Sequence, residues 1–203
     1  IFSLYWFIQS TVRGLSTNGT ATLNIRPASN IELDVISDAS WTYGDPRLVG
    51  IAPGAGGART YLFQDRDSRS WDILLRGTWT FSPSLSLQVY GQLFLDSGHY
   101  GQATTITGTG LYPRLDVKDF QPAAMPTGTD NDFRDSALNV NAFFRWEFLP
   151  GSALWLVYTR NQGNLPFDPA EGVGRLRFDK LNGPSTDVFL VKLSYLWEPL
   201  KSR

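Results

Sequence analysis

The chain has 203 residues, 18 basic against 19 acidic side chains and a formal net charge of -1, so it lacks the basic field that a phosphate backbone attracts, and nucleic acid is not an expected partner. With no cysteine, disulfides, thiolate metal sites, attached c-type haem and a cysteine nucleophile are excluded. Aromatics reach 14% with seven Trp while charged residues are only 18%, below the roughly 25% usual in soluble domains; no run of about 18 apolar residues offers a transmembrane helix, so a membrane crossing has to use tilted strands.

The opening IFSLYWFIQS starts on Ile1 without an initiator Met or signal peptide. Phe2, Leu4, Trp6 and Ile8 alternate with Ser3, Tyr5 and Gln9, so the first residue is expected to lie within a strand, with more chain upstream. A hairpin follows, joining residues 20–26 to 31–43 through Pro27-Ala28-Ser29-Asn30. Residues 44–57 read as a long polar connection, and 59–70 as the prolongation of a strand. In 71–81, Trp71, Ile73, Leu75, Gly77, Trp79 and Phe81 alternate with Asp72, Leu74, Arg76, Thr78 and Thr80. Ser82-Pro83-Ser84 then turns the chain into 85–97, where Leu85, Leu87, Val89, Gly91, Leu93 and Leu95 alternate with Ser86, Gln88, Tyr90, Gln92, Phe94 and Asp96. After a long stretch, 98–135, the same unit recurs: Leu138, Val140, Ala142, Phe144, Trp146 and Phe148 alternate with Asn139, Asn141, Phe143, Arg145 and Glu147. Pro150-Gly151 leads into 153–160. A third long stretch, 161–185, precedes a last strand over 187–197, with Phe189, Val191, Leu193, Tyr195 and Trp197 on one face and Lys192 and Ser194 on the other.

Turns around Pro27, Pro83 and Pro150 are short and the connections between them long. A transmembrane β-barrel sorts its connections in this way, with tight turns on one side of the bilayer and extended loops on the other. The expected fold is therefore all-β: one antiparallel transmembrane β-barrel domain over the whole chain, with about eight strands near the roughly 9 to 11 residues a tilted span needs, belonging to a larger barrel.

In such a barrel Asp72, Arg76, Gln88, Gln92 and Asp96 point inward, after a parity switch so do Asn139, Asn141, Arg145 and Glu147, and Lys192 joins them from the polar face of the last strand. They are the candidate lumen lining, for a water-filled passage or for the salt-bridged filling of a closed small barrel. Trp41, Tyr43, Phe81, Phe148, Tyr158 and Trp197 are candidates for the interfacial aromatic girdles, with a sandwich core as the alternative. The ending Tyr195-Leu196-Trp197 is similar to an aromatic-terminated closing strand, although residues 198–203 extend beyond it.

Enzymatic constellations are sparse, and no catalytic residue, metal or cofactor is expected. The single histidine, His99, sits at a loop start, where a solvated loop side chain is the simpler account than a triad member. Thr129-Asp130-Asn131-Asp132 offers oxygen ligands at alternate positions but lacks the Gly and distal Glu of an EF-hand, so an Asp/Asn turn is expected. Gly54, Gly56 and Gly57 are not followed by the Lys and Ser or Thr of a phosphate loop. Glu32 and Asp34 share a strand face as a glycosidase pair might, but a mixed-sign polar face explains them more simply.

The segments WDILLRGTWTFSPSLSLQVYGQLFLDSGHY, DFRDSALNVNAFFRWEFLPGSALWLVYTRNQ and DVFLVKLSYLWEP resemble the C-terminal barrel of the bacterial family called domain of unknown function 5916, over residues 31–197. The most specific pieces are 83–92, with its LSLQ core, and 145–158, with Pro150-Gly151-Ser152. The resemblance implies a Gram-negative outer-membrane location, an upstream β-sandwich similar to family 9 carbohydrate-binding modules, and a connection with glycans; it carries over no catalytic residues. Partners expected on this basis are the lipid bilayer, lipopolysaccharide, a glycan ligand and other proteins of an outer-membrane complex. The expected function is a membrane anchor or a channel for polar, glycan-derived solutes, not an enzyme. A soluble carbohydrate-binding β-sandwich is the alternative, and a hydrolase the third reading.

Overall fold

The computed structural model describes residues 1–10, 13–109, 115–126, 130–165, 167–168, 170, 176 and 181–197. Nine strands form one antiparallel sheet: β1 (Phe2–Ser10), β2 (Leu15–Ala28), β3 (Ile31–Pro53), β4 (Arg59–Ser82), β5 (Leu85–Gly108), β6 (Gln121–Ala123), β7 (Phe133–Leu149), β8 (Ser152–Gly163) and β9 (Ser185–Ser194). The order is β1-β2-β3-β4-β5-β7-β8-β9, with β6 pairing beside β5. Among the described residues β1 and β9 do not pair, so the sheet is open and not closed into a barrel.

The expected number of strands matches the eight in this path; the ninth, β6, is a short segment inside the stretch read as loop. Strand lengths differ from expectation. β3, β4 and β5 run for 23, 24 and 24 residues, well beyond the roughly 9 to 11 of a tilted span. Residues 44–53, read from sequence as loop because of their Gly, Pro and charges, pair with β4 as far as Pro53↔Arg59. Two bulges in the β3–β4 ladder, between Thr42 and Asp45 and between Leu48 and Gly50, absorb the residues that break the alternation.

Turn chemistry explains the tight ends. Ser82 Oγ accepts from the Ser84 amide (3.3 Å) around Pro83. Asn30 Nδ2 donates to the Thr80 carbonyl (3.1 Å), tying the β2–β3 turn to β4. Gly151 turns β7 into β8 at φ 74°, a conformation that favours glycine.

Apart from Ser152 and Ala153 beside the β7–β8 turn, the buried residues gather at the end remote from these turns. There Tyr61, Leu95, Ala103 and Ile106 are buried with Gln64, Ser97, Thr104, Arg134 and Ser136. Described residues between β5 and β7 pack onto this part: Phe120 lies against Phe63 (centroids 4.9 Å) and Asn131 Nδ2 donates to Gln64 Oε1 (2.6 Å). Over the rest of the sheet the described residues form one layer. Val89 is 37% exposed and Trp79 44%, because no second sheet lies over them.

Candidate functional site

Register fixes which side chains share a face, since directly paired residues in an antiparallel sheet point the same way. The row Ile25↔Leu33↔Gly77↔Val89↔Ala142↔Tyr158↔Phe189 crosses six ladders. Above and below it the same face carries Val35, Leu75, Ile73, Leu93, Phe144, Leu156 and Val191. This greasy face spans residues 31–41 of β3, 71–81 of β4, 85–95 of β5 and 138–148 of β7. Its upper limit is abrupt: the next position on this face is Arg69 on β4, Ser97 on β5, Ser136 on β7 and Arg160 on β8.

Aromatic rings collect at both limits. Trp41 lies at the upper limit, its ring 5.8 Å from Trp6, with Tyr43 the next residue on that face. Both lie inside β3 and not at its end, because β3 continues to Pro53. Tyr158 is likewise mid-strand, packed on Phe189 (4.8 Å) with its hydroxyl donating to Asp187 (2.7 Å) where the charged residues begin. At the turn end Phe81 stacks on Trp79 (4.6 Å) and Phe148 lies 5.9 Å from Trp146. Trp197, 78% exposed, follows β9 at the same end. Trp71 Nε1 donates to Ser37 Oγ (2.9 Å), which satisfies an indole on an otherwise apolar face.

The opposite face is polar, and register places all ten candidate lining residues on it. Asp72 pairs with Phe94, Arg76 with Tyr90, Gln88 with Phe143, Gln92 with Asn139, Asp96 with Asp135, Asn141 with Thr159, and Arg145 with Trp155, which pairs in turn with Lys192. Glu147 lies two residues beyond Arg145. Hydrogen bonds run over this face, most of them between strands and two, Tyr90 to Gln92 and Arg145 to Glu147, along one strand. Thr20 Oγ1 donates to Asp38 (2.5 Å), Gln92 Nε2 to Asp72 (2.7 Å), Tyr90 Oη to Gln92 (3.0 Å) and Thr159 Oγ1 to Asn141 (2.8 Å). Asn24 donates to Asp34, Arg26 pairs with Glu32 (2.7 Å) and Arg145 with Glu147 (2.5 Å).

Glu32 and Asp34 thus have cross-strand partners in Arg26 and Asn24. Asp130 and Asp132 form a local turn, the Asp132 amide donating to Asp130 Oδ1 (2.9 Å). Asp132 also accepts from the Tyr100 amide (2.6 Å) and lies 2.8 Å from His99 Nδ1, so its oxygens serve to fasten the segment before β7. Thr129 and residues 198–203 lie outside the described residues. Tyr90, Phe94 and Phe143 stand on the polar face as apolar interruptions of the alternation, which gives no sign that they form a group, and the evenly apolar run 153–158 gives Trp155 no face from sequence alone.

Fold and faces together define the chain as an all-β protein built on one amphipathic antiparallel sheet, greasy on one side and hydrogen-bonded polar on the other. The chain belongs to the family described as Domain of unknown function (DUF5916), whose model matches residues 28–196. No curated protein and no solved structure matches it.

Proposed function

We propose that this chain is part of the wall of a bacterial outer-membrane β-barrel, with its greasy face against hydrocarbon and its polar face lining a passage for polar solutes. One observation carries it: an uncovered apolar band about as tall as a transmembrane strand, bounded by aromatic rings and then by charge. A soluble carbohydrate-binding sandwich would need a second layer over that band, and the described residues supply only one.

Both edges support a larger barrel. β1 contains no charged residue and no Pro, and pairs with β2 in unbroken register. β9 contains only Asp187 and Lys192 as charges and pairs with β8 equally regularly. Free edges are normally blunted by charge, Pro or bulges, so both edges suit continuation by further strands. Lipopolysaccharide would then be the lipid partner on the long-loop side. Where the lumen is plugged, the same wall serves as an anchor.

The experiment is extraction and reconstitution of the full-length protein. The expected outcome is detergent-dependent solubility, heat-modifiable gel migration and stepwise conductance in planar bilayers. Solubility in plain buffer would overturn the membrane reading; a heat-modifiable protein without conductance would leave the anchor.

A further inference from the structure

The polar face carries a file of aromatic rings that neither lipid contact nor a dry core explains. Phe94 and Tyr90 lie on β5, Phe143 on β7 and Trp155 on β8. Gln88↔Phe143 and Tyr90↔Asn141 are successive pairs on this face, so Tyr90 and Phe143 are diagonal neighbours. Arg145↔Trp155 and Phe143↔Val157 make Phe143 and Trp155 diagonal in turn. Diagonal neighbours lie about 7–8 Å apart, within reach of aromatic side chains. Tyr90, Phe143 and Trp155 therefore descend as a staircase across three strands toward the short-turn end, while Phe94 stands beyond Gln92 on β5, paired with Asp72. Phe143, in the middle, is 45% exposed although its face is otherwise polar.

Two of the rings carry a cation. Arg76 Cζ lies 5.9 Å from the centroid of Tyr90, and Lys192 Nζ 5.0 Å from that of Trp155. Among the described residues neither cation makes an ion pair, in contrast to Arg26 with Glu32 and Arg145 with Glu147. Gln88, Gln92, Asn141 and Thr159 flank the file on the same face. Flat rings, amide and hydroxyl groups, and cations held in reserve on the rings together suit one ligand chemistry. Pyranose rings stack their apolar faces on the aromatics, their hydroxyls meet the amides, and carboxylates draw Arg76 and Lys192 off the rings.

Resting on the reading of this face as the lining of a passage, we propose that the Tyr90-Phe143-Trp155 file is a binding track for linear acidic oligosaccharides of uronic-acid units.

Trp155 makes the proposal testable, because by register Trp6, Trp41, Trp71, Trp79 and Trp146 lie on the greasy face, and Trp197 lies beyond the end of β9 and outside the file. Full-length protein in detergent is titrated with hexamers of galacturonate, mannuronate and hyaluronan, and with maltohexaose as the neutral control, following Trp emission and, in parallel, heat of binding. The expected result is a saturable emission change with at least one uronate oligomer, abolished in Trp155→Phe while calorimetric binding persists. Phe143→Leu, which removes the ring but keeps apolar bulk, should weaken binding about tenfold. Lys192→Gln should weaken it to a similar extent and reduce its dependence on salt.

Three results would overturn the track: no saturable response to any uronate, equal affinity for maltohexaose, or full emission response in Trp155→Phe. Heat-modifiable migration of each variant shows that the barrel has assembled, so a failed track is distinguished from a failed barrel.

Discussion

Two glycines show how closely side chains are fitted to this single layer. A Cβ on Gly19 would lie 2.3 Å from the Trp6 ring, which lies flat over its paired glycine and approaches Trp41. Gly19→Val should displace Trp6 at a cost of about 1–3 kcal/mol, the usual range for overpacking, measured as a lower midpoint of urea unfolding in detergent or bilayers. Gly151 combines a φ of 74° with a Cβ position 2.7 Å from Leu196 Cδ2. Gly151→Ala should therefore combine backbone strain of about 1–2 kcal/mol with loss of the tail's seat on the turn. That seat also uses the Leu196 amide, which donates to Ser152 Oγ (2.9 Å). An unchanged midpoint for Gly151→Ala would show that the tail does not rest there. Pro150-Gly151 was legible as a turn from its residues; the fold-back of Leu196 onto it was not, since no local pattern encodes a contact across β9's end.

At the scale of elements, alternation located the paired centre of every principal strand but not the ends. Period-2 patterning reports a face that differs from its opposite, and above the greasy limit both faces of β3, β4 and β5 are mixed. Asp45, Pro46, Arg47 and Pro53 therefore read as loop although they extend β3. The same residues protect that extension: among the described residues no strand pairs with β3 beyond Leu15↔Tyr43 on this side, and Pro, two bulges and charge blunt this edge. The segment before β7 is fastened by Asp132 to Tyr100 and His99, and by Asn131 to Gln64. Asp132→Ala should release it while the long β4–β5 hairpin persists. Hydrogen exchange would show this as faster exchange in 121–126 with 71–81 unchanged; equal protection in both proteins would mean that β6 pairing and the Asn131–Gln64 bond hold the segment without Asp132.

For the molecule as a whole, the facing of the sheet was legible because parity holds between bulges: one residue's step along a regular strand crosses from one face to the other. The ten lining candidates, drawn from β4, β5, β7 and β9 by sequence parity alone, fall on one face in the structure for that reason. Closure was not legible in the same way, because alternation fixes the faces of a strand and says nothing of what its edge meets; in the described residues β1 and β9 are the open edges. Gln88 and Val89 turn facing into a measurement, being adjacent in β5 on opposite sides of the sheet. Val89 pairs with Gly77 and Ala142 amid the apolar band, and Gln88 with Thr78 and Phe143 on the polar face. Against hydrocarbon, Arg near the midplane costs about 2–4 kcal/mol, falling toward zero at the interface. Val89→Arg should thus lower the yield of heat-modifiable, membrane-assembled protein and its unfolding midpoint, while Gln88→Arg, whose charge meets water and amides, should assemble as the parent does. Equal tolerance at both positions would mean that water, not lipid, covers the greasy side; equal failure would mean that the polar side is too tightly filled to form a passage.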